Sequence, residues 1–436
     1  MSSWKKYKLG ELLELVIDHR GKTPKKLGFD DFHSNGYPVL SAKHVKTSGL
    51  VNLDVMRFAN QEMYEKWMKI PTKKGDIVLT SEAPLGELFY IDGSTQYLLG
   101  QRVFGLRTKA NLINPMYLFA WLSSPEGQSA LQARATGSTV QGIKQSELLN
   151  IELSIPDLIE QEKVAEILFN LNNKIQLNTQ INQTLEQIAQ TIFKSWFIDF
   201  DPVHAKANAL ASGQTLEQAT QAAMAVISGK NTQELHRLQT ANPEQYQQLW
   251  EIAEAFPSGF DEEGVPRGWE ERYLKDVCNI VYGKGLPKNK LTEKGFYVFG
   301  ANGVIGFYDS YTYEKPQVLI GCRGTVGQVT LSYPYSFVTN NSLVIEYENS
   351  CVSMYYLEKY LSNINLKEIS SGSVQPQITI QNMSKVKILI PNIEILNFYS
   401  EKVKEIYDKR LHHFYENQSL SKVRDLLLPK LLSGEV

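Results

Sequence analysis

A chain of 436 residues, 42% of them hydrophobic, is long enough for two or three domains and too apolar to remain disordered. No apolar run reaches the ~18 residues of a membrane span; Leu9–Ile17, after the basic start, is broken by Glu11 and Glu14 and makes a poor signal core; and Cys278, Cys322 and Cys351 include no CxxC pair for a disulfide or zinc framework, so a reducing cytoplasm is expected. The net charge of −2 is uneven: residues 199–263 hold 3 Lys/Arg against 10 Asp/Glu, whereas residues 1–110 hold 17 against 12, a positive bias that a nucleic-acid surface could use.

In chain order, residues 1–156 show short apolar and aromatic runs, Asp76–Thr80 and Val103–Leu106 among them, punctuated by Gly, Pro, Asn and Asp. That pattern predicts mixed or antiparallel strands with small helices such as Tyr117–Leu122. The period changes from Glu160 to Phe197. Val164, Leu168, Leu171, Ile175, Leu185, Ile188 and Ile192 recur at helical spacings apart from a gap after Ile175, and Asn178 and Asn182 interrupt the stripe. No proline falls inside, so residues 157–200 are predicted as one helix of roughly ten turns. Residues 201–268 are an insert: Ala205–Ile227 is predicted helical, Asn242-Pro243 opens a shorter helix through Trp250, and Pro257–Pro266 is a turn-rich linker. Residues 269–391 return to strand-like runs at Tyr297–Gly300, Val318–Gly321 and Ser342–Tyr347, with a small helix at Tyr355–Leu361. A second long helix, within 392–436 and centred on Tyr399–Leu428, carries Val403, Ile406, Tyr407, Phe414, Leu420 and Leu427.

The second half repeats the first in order. Trp4 to Glu11 resembles Trp269 to Asp276, Gly21 to Pro24 resembles Gly283 to Pro287, and Met116-Tyr117 recurs as Met354-Tyr355. Gly137-Ser138, Ile143 and Ile155-Pro156 recur as Gly372-Ser373, Ile378 and Ile390-Pro391, and Glu162 to Ile167 recurs as Glu401 to Ile406. Each long stripe is too narrow to organise a core alone and needs a partner helix; the obvious partner is the other copy. The fold expected is α+β: two mixed α/β domains in tandem pseudo-repeat, each followed by a long helix, with the two helices packed as an antiparallel coiled coil.

Catalytic motifs are missing. There is no GxxxxGK(S/T) phosphate loop, no GxGxxG opening a helix, no Asn/Asp-Pro-Pro-Tyr tetrapeptide and no HExxH. His412-His413 is expected as a surface pair on a coiled coil, because neighbours on a helix point in different directions. The Pro156-Asp157…Glu160-Gln161-Glu162-Lys163 run superficially resembles a nuclease metal site, but Gln161 stands where the second acid is needed, and acids in a first helical turn suit the dipole.

Glycine-rich loops remain. Gly321 to Gly327 aligns with Thr80 to Gly86, and Ser81, Arg323 and Thr325 lie in them. A plain hairpin turn is one reading; a loop facing nucleic acid, with Arg323 available to phosphate or guanine, is the other. The loops Thr136–Lys144 and Ser370–Gln377 offer Ser138, Thr139, Gln141 and Lys144, and Ser373, Gln375 and Gln377, as donors and acceptors for bases and phosphates. Lys22, Lys25, Lys43, Arg102, Lys284, Lys288 and Asn341 complete the candidate DNA-contacting set. Two readers and two partner helices suggest pseudo-twofold symmetry matched to a bipartite DNA site.

With these residues in view, the chain resembles a type I restriction-modification specificity subunit. The resemblance runs over nearly the whole sequence. It includes Trp4 to Leu9, the Gly137-Ser138…Ile155-Pro156…Glu160-Gln161-Glu162 passage, Ser195 to Pro202, Gly300 to Gly306 and Leu426 to Gly434. The second copy departs at the helix start, with Tyr399-Ser400-Glu401. The resemblance implies two target-recognition domains reading unequal half-sites of double-stranded DNA. It implies assembly with two methylation subunits, which supply S-adenosylmethionine and adenine methylation. Restriction/translocase subunits would add ATP- and Mg-dependent translocation and cleavage. No cofactor, metal or catalytic residue is expected on this chain. A repeat-built protein adaptor without a DNA role and a standalone DNA-modifying enzyme are the alternatives.

Overall fold

The computed structural model describes residues 4–47, 49–137, 140–372 and 375–435. The chain divides into two compact units, one formed by residues 1–180 and 414–436, the other by residues 181–413.

In the first unit, Lys5–Lys8 pairs antiparallel with Glu152–Ile155, tying the two ends of the domain together. A four-stranded antiparallel sheet runs in the order Leu13–Asp18, Val103–Thr108, Ile77–Thr80, Leu88–Tyr90. Its central strands are buried along their whole length, which explains their continuous rather than alternating apolar runs. A smaller sheet is ordered Phe58–Ala59, Tyr37–Leu40, Leu98–Leu99, the last pair parallel. Helix Pro115–Ser123, opened by Asn114 accepting from the Met116 and Tyr117 amides, contributes to the main core.

The second unit repeats the order of these three sheets, without a counterpart of the first unit's small hairpin Val45–Lys46 and Gly49–Leu50 among the described residues. Glu270–Tyr273 pairs with Lys387–Ile390; the four-stranded sheet runs Asn279–Tyr282, Ser342–Glu346, Val318–Gly321, Val329–Leu331. The three-stranded sheet runs Gly303–Tyr308, Phe296–Gly300, Phe337–Val338, again with the last pair parallel. The repeat in the sequence is therefore a repeat of topology.

The long helices span Leu158–Phe197 and Ile393–Ser433. The second starts six residues before Tyr399 because Ile395 and Leu396 extend its buried stripe, and it runs on through Pro429. Cross-helix contacts fix an antiparallel pairing. In the first unit Arg424 Nη1 donates to Asn172 Oδ1 (3.2 Å), and Asn178 Nδ2 donates to Glu416 Oε2 (2.7 Å) and Asn417 Oδ1 (2.9 Å). In the second unit Asn182 Nδ2 donates to the Arg410 carbonyl (3.1 Å), and His413 Nδ1 lies 2.9 Å from Asn182 Oδ1. His413 is thus buried in the helix pair rather than on its surface. Ile188, expected on the stripe, is 43% exposed, and Ala189 takes the inward position.

The stripes do not fit only each other. Val164, Ala165 and Leu168 from the start of the first helix, and Leu428, Leu431 and Leu432 from the end of the second, join the core of the first unit. Ala189, Phe193, Trp196 and Phe197 from the end of the first helix, and Ile395, Leu396, Tyr399 and Val403 from the start of the second, join the core of the second. Phe197 makes edge contacts with Tyr356 and Tyr399, both with ring centroids 5.0 Å apart. Such pairs contribute about 0.5–1.5 kcal/mol each beyond burial. Near the end of the second helix, Gly434 backs onto the indole of Trp4, where a Cβ would come within 3.2 Å of Cζ2.

The insert differs from expectation. It holds four helices, Asp201–Ala211, Leu216–Ser228, Thr232–Ala241 and Pro243–Ala255, around Ala223, Met224, Leu235 and Ala253. The single Ala- and Gln-rich helix is broken because Gly213 takes a left-handed conformation (φ +82°) and Thr215 caps the next helix, its hydroxyl accepting from the Gln218 amide. Buried Lys206 donates to the carbonyls of Ala253 (3.1 Å), Glu254 (3.1 Å) and Phe256 (2.6 Å), placing its charge at the negative end of the last insert helix.

Candidate nucleic-acid interface

Two loops converge at one end of each four-stranded sheet, and the same backbone bonds hold them in both units. In the first unit the Ser81 amide donates to the Arg102 carbonyl (2.9 Å) and the Ile143 amide to the Ser81 carbonyl (2.9 Å). Thr136 and Gly142 exchange two bonds of 2.8 and 3.0 Å, closing the loop between them. In the second unit the Cys322 amide donates to the Asn341 carbonyl (2.9 Å) and the Ile378 amide to the Cys322 carbonyl (3.2 Å). Ser371 and Gln377 exchange the matching pair at 2.8 and 2.9 Å. Gly137 (φ +116°) and Gly372 (φ +99°) occupy equivalent turns, and the carbonyls of Val140 and Gln375 lie too close to accept a Cβ there.

The side chains on this shared frame differ in kind. Glu82 in the first unit stands where Arg323 stands in the second, and Arg102 where Asn341 stands. Arg102 Nε pairs with Glu82 Oε1 at 3.1 Å, with both side chains about half exposed. Arg323 Nε donates to Gln377 Oε1 (3.3 Å) while its guanidinium lies 6.0 Å from the Tyr282 ring centre. Gln141, Lys144, Thr325, Asn341 and Gln375 are exposed beside them. Lys284 is exposed next to Thr339, its amide donating to the Val338 carbonyl (2.8 Å), and Lys288 is exposed on the short turn Lys288–Lys290. Ser81, by contrast, is 1% exposed, held by its backbone between Arg102 and Ile143. Ser138, Thr139 and Ser373 lie outside the described residues.

A second basic feature of the first unit was only partly legible. Lys22 and Lys43 line one cavity of about 410 Å³ together with Arg57, Gln101, Phe32 and Trp67. Lys25 is exposed on the adjacent short turn, Lys25–Leu27. Lys22 Nζ donates to the Trp67 carbonyl (2.8 Å), and burial together with Lys69 lowers its pKa. Burial and the Lys22 charge hold the His19 imidazole down to about 4, so it is neutral. Arg20, also missed, pairs with Asp18 (2.7 Å) and lies over the Phe104 ring at 4.1 Å. The signal for Arg20 was its place beside Gly21-Lys22; Arg57 had none, since only strand pairing brings it to the cavity.

At the start of the first long helix, Gln161 is buried. It donates to the carbonyls of Leu112 (3.2 Å) and Pro156 (2.9 Å) and accepts from the Asn114 amide (2.9 Å), which is structural work and not metal ligation. Among the described residues no His/Cys/Asp/Glu group could hold a metal ion, and no helix is long and apolar enough to cross a membrane.

The family described as "Type I restriction modification DNA specificity domain" matches residues 1–187 and 266–423. The HindI specificity subunit of Haemophilus influenzae is 34% identical over the full length of both chains. The chain is a type I restriction-modification specificity subunit. The MjaIX specificity subunit of Methanocaldococcus jannaschii is 24% identical over 83% of this chain and 78% of that one. The crystal structure of the S subunit from M. genitalium, 18% identical, superposes with a TM-score of 0.56 over 99% of this chain and 96% of that one, which shows a shared fold. A specificity subunit is the non-catalytic member of the type I complex.

Proposed function

We propose that each unit carries one target-recognition domain, residues 1–156 and 269–391, and that each reads one half of a bipartite, asymmetric site in double-stranded DNA. Residues 157–200 and 392–436 act as spacer helices and residues 201–268 as an insert between the copies. The contacts are made in the first domain by Lys22, Lys25, Lys43, Arg102, Gln141 and Lys144. In the second they are made by Lys284, Lys288, Arg323, Thr325, Asn341, Gln375 and Gln377. Two methylation subunits dock on the chain and bring S-adenosylmethionine; restriction/translocase subunits bring ATP and Mg, all in the cytoplasm. The observation that carries the asymmetry is the shared hydrogen-bond frame bearing Glu82 and Arg102 in one copy and Arg323 and Asn341 in the other. Opposite charge at a matched position selects different base edges.

The test is an exchange of residues 1–150 for the matching region of a relative, in cells carrying the methylation subunit, followed by modified-base sequencing. One half-site should change and the other persist. Simultaneous change of both halves would sink the assignment of one half-site to each domain.

A further inference from the structure

We propose that the cavity between Lys22, Lys43 and Arg57 is a seat for a single phosphate of the DNA backbone, present in the first recognition domain without a counterpart of like charge in the second. The inference rests on the DNA reading above and deepens it. Lys22 is half-buried and, among the described residues, makes no ion pair with a carboxylate; its Nζ donates to the neutral Trp67 carbonyl. A partly desolvated cation without an anion favours one arriving from outside. Lys43 and Arg57 are exposed on the cavity, Lys43 near the Val55 carbonyl (3.4 Å) and Arg57 facing Asp31 at 3.6 Å. The Asp31 contact is long and solvent-exposed, so a phosphate can displace it at little cost. Phe32 and Trp67 form apolar wall, which strengthens the attraction between the cations and a bound anion.

Strand register identifies the counterparts in the second domain. Val39 pairs with Leu98 as Val298 pairs with Phe337, and Leu40 with Leu99 as Phe299 with Val338. Counting on from these pairs, Lys43 matches Asn302. The Val39 amide bonds the Arg57 carbonyl, and Val298 faces Gly306, so Arg57 matches Gly306. Only Lys22 has a basic counterpart, Lys284. Two of the three cations, and hence the full set, are therefore particular to the first reader.

One phosphate held by three cations behaves differently from three separate contacts. Each neutralised phosphate contributes about 0.9 to the slope of log K against log salt. The assembly with its methylation subunits would be titrated with target and non-target duplexes over a range of salt. Lys43→Gln and Arg57→Gln, both on exposed side chains, would be made singly and together, with Lys22→Gln added as a third variant. Each single change should weaken binding to all sequences alike. The double and triple variants should lower the slope by about one in total, not two or three. The methylated sequence should not change. A slope change of two or three, no change, or an altered first half-site would each overturn the seat; the last would make these residues base readers. Loss of salt-dependent binding by the unsubstituted assembly would overturn the DNA reading itself, and the seat with it.

Discussion

Lys206 shows what a single buried charge does in this chain. It is 2% exposed and caps three carbonyls at the end of helix Pro243–Ala255. Lys206→Met keeps the stem but strands those carbonyls, and should cost about 2–4 kcal/mol. Thermal unfolding with hydrogen exchange across residues 243–256 would check it; unchanged protection there would refute the capping role. Asp76 and Arg107 form a buried ion pair, joined by bonds of 2.8 and 2.7 Å, with Asp76 fully buried and Arg107 also donating to the Pro71 carbonyl (2.8 Å). Asp76→Ala should destabilise the first domain by about 3–5 kcal/mol, because it leaves the guanidinium buried without an anion. Urea unfolding would measure it. Neither partner set could be read from sequence, since each joins segments tens of residues apart. The candidate contacts were more legible: glycine loops rich in Gln, Lys and Arg stand out locally. The burial of Ser81 was not legible, because it depends on the distant Arg102 and Ile143 backbone bonded to it.

The elements were legible where periodicity alone decides them. Both long helices and most central strands follow from spacing, and the insert's two extra helices were missed because left-handed Gly213 and Gly229 and the caps Thr215 and Asn231 divide it. Where the helix ends go was hidden. Phe193, Trp196 and Phe197 lie beyond the periodic stripe, which ends at Ile192, and their partners Trp269, Tyr356 and Tyr399 come from the second half of the chain. Phe197→Ala should therefore destabilise the second unit, by about 3–5 kcal/mol, which differential scanning calorimetry would resolve. The chain passes between units at residues 180/181 and 413/414, and both crossings fall inside the long helices. A spacer function then requires both helices to lengthen together. Four residues added beside Asn178 and four beside Asn417 add ~6 Å of helix while turning each stripe only ~40°. The methylated site should gain one or two base pairs between its halves, at ~3.4 Å per pair. An unchanged gap in an active protein would rule out the spacer role. Insertion in one helix alone should be absorbed as a bulge.

At the scale of the whole molecule, the sequence carries none of the motifs for methyl transfer or metal-dependent cleavage named above. The isolated chain should do neither, whereas adding a methylation subunit should produce adenine methylation at one bipartite sequence. Robust methylation by the purified chain alone, scored with labelled S-adenosylmethionine, would contradict this. The repeat was legible at this scale because it preserves order; the exchange of helix ends between cores was not, because it is a property of pairing. The packing of Gly434 against Trp4 has a consequence for chain connectivity. With those residues in contact, residues 4 and 434 lie side by side in the first unit, within reach of a short linker. A short Gly/Ser bridge from residue 434 to residue 4, with new termini opened in the turn around Gly264, should yield a circular permutant that folds and specifies the same methylated sequence.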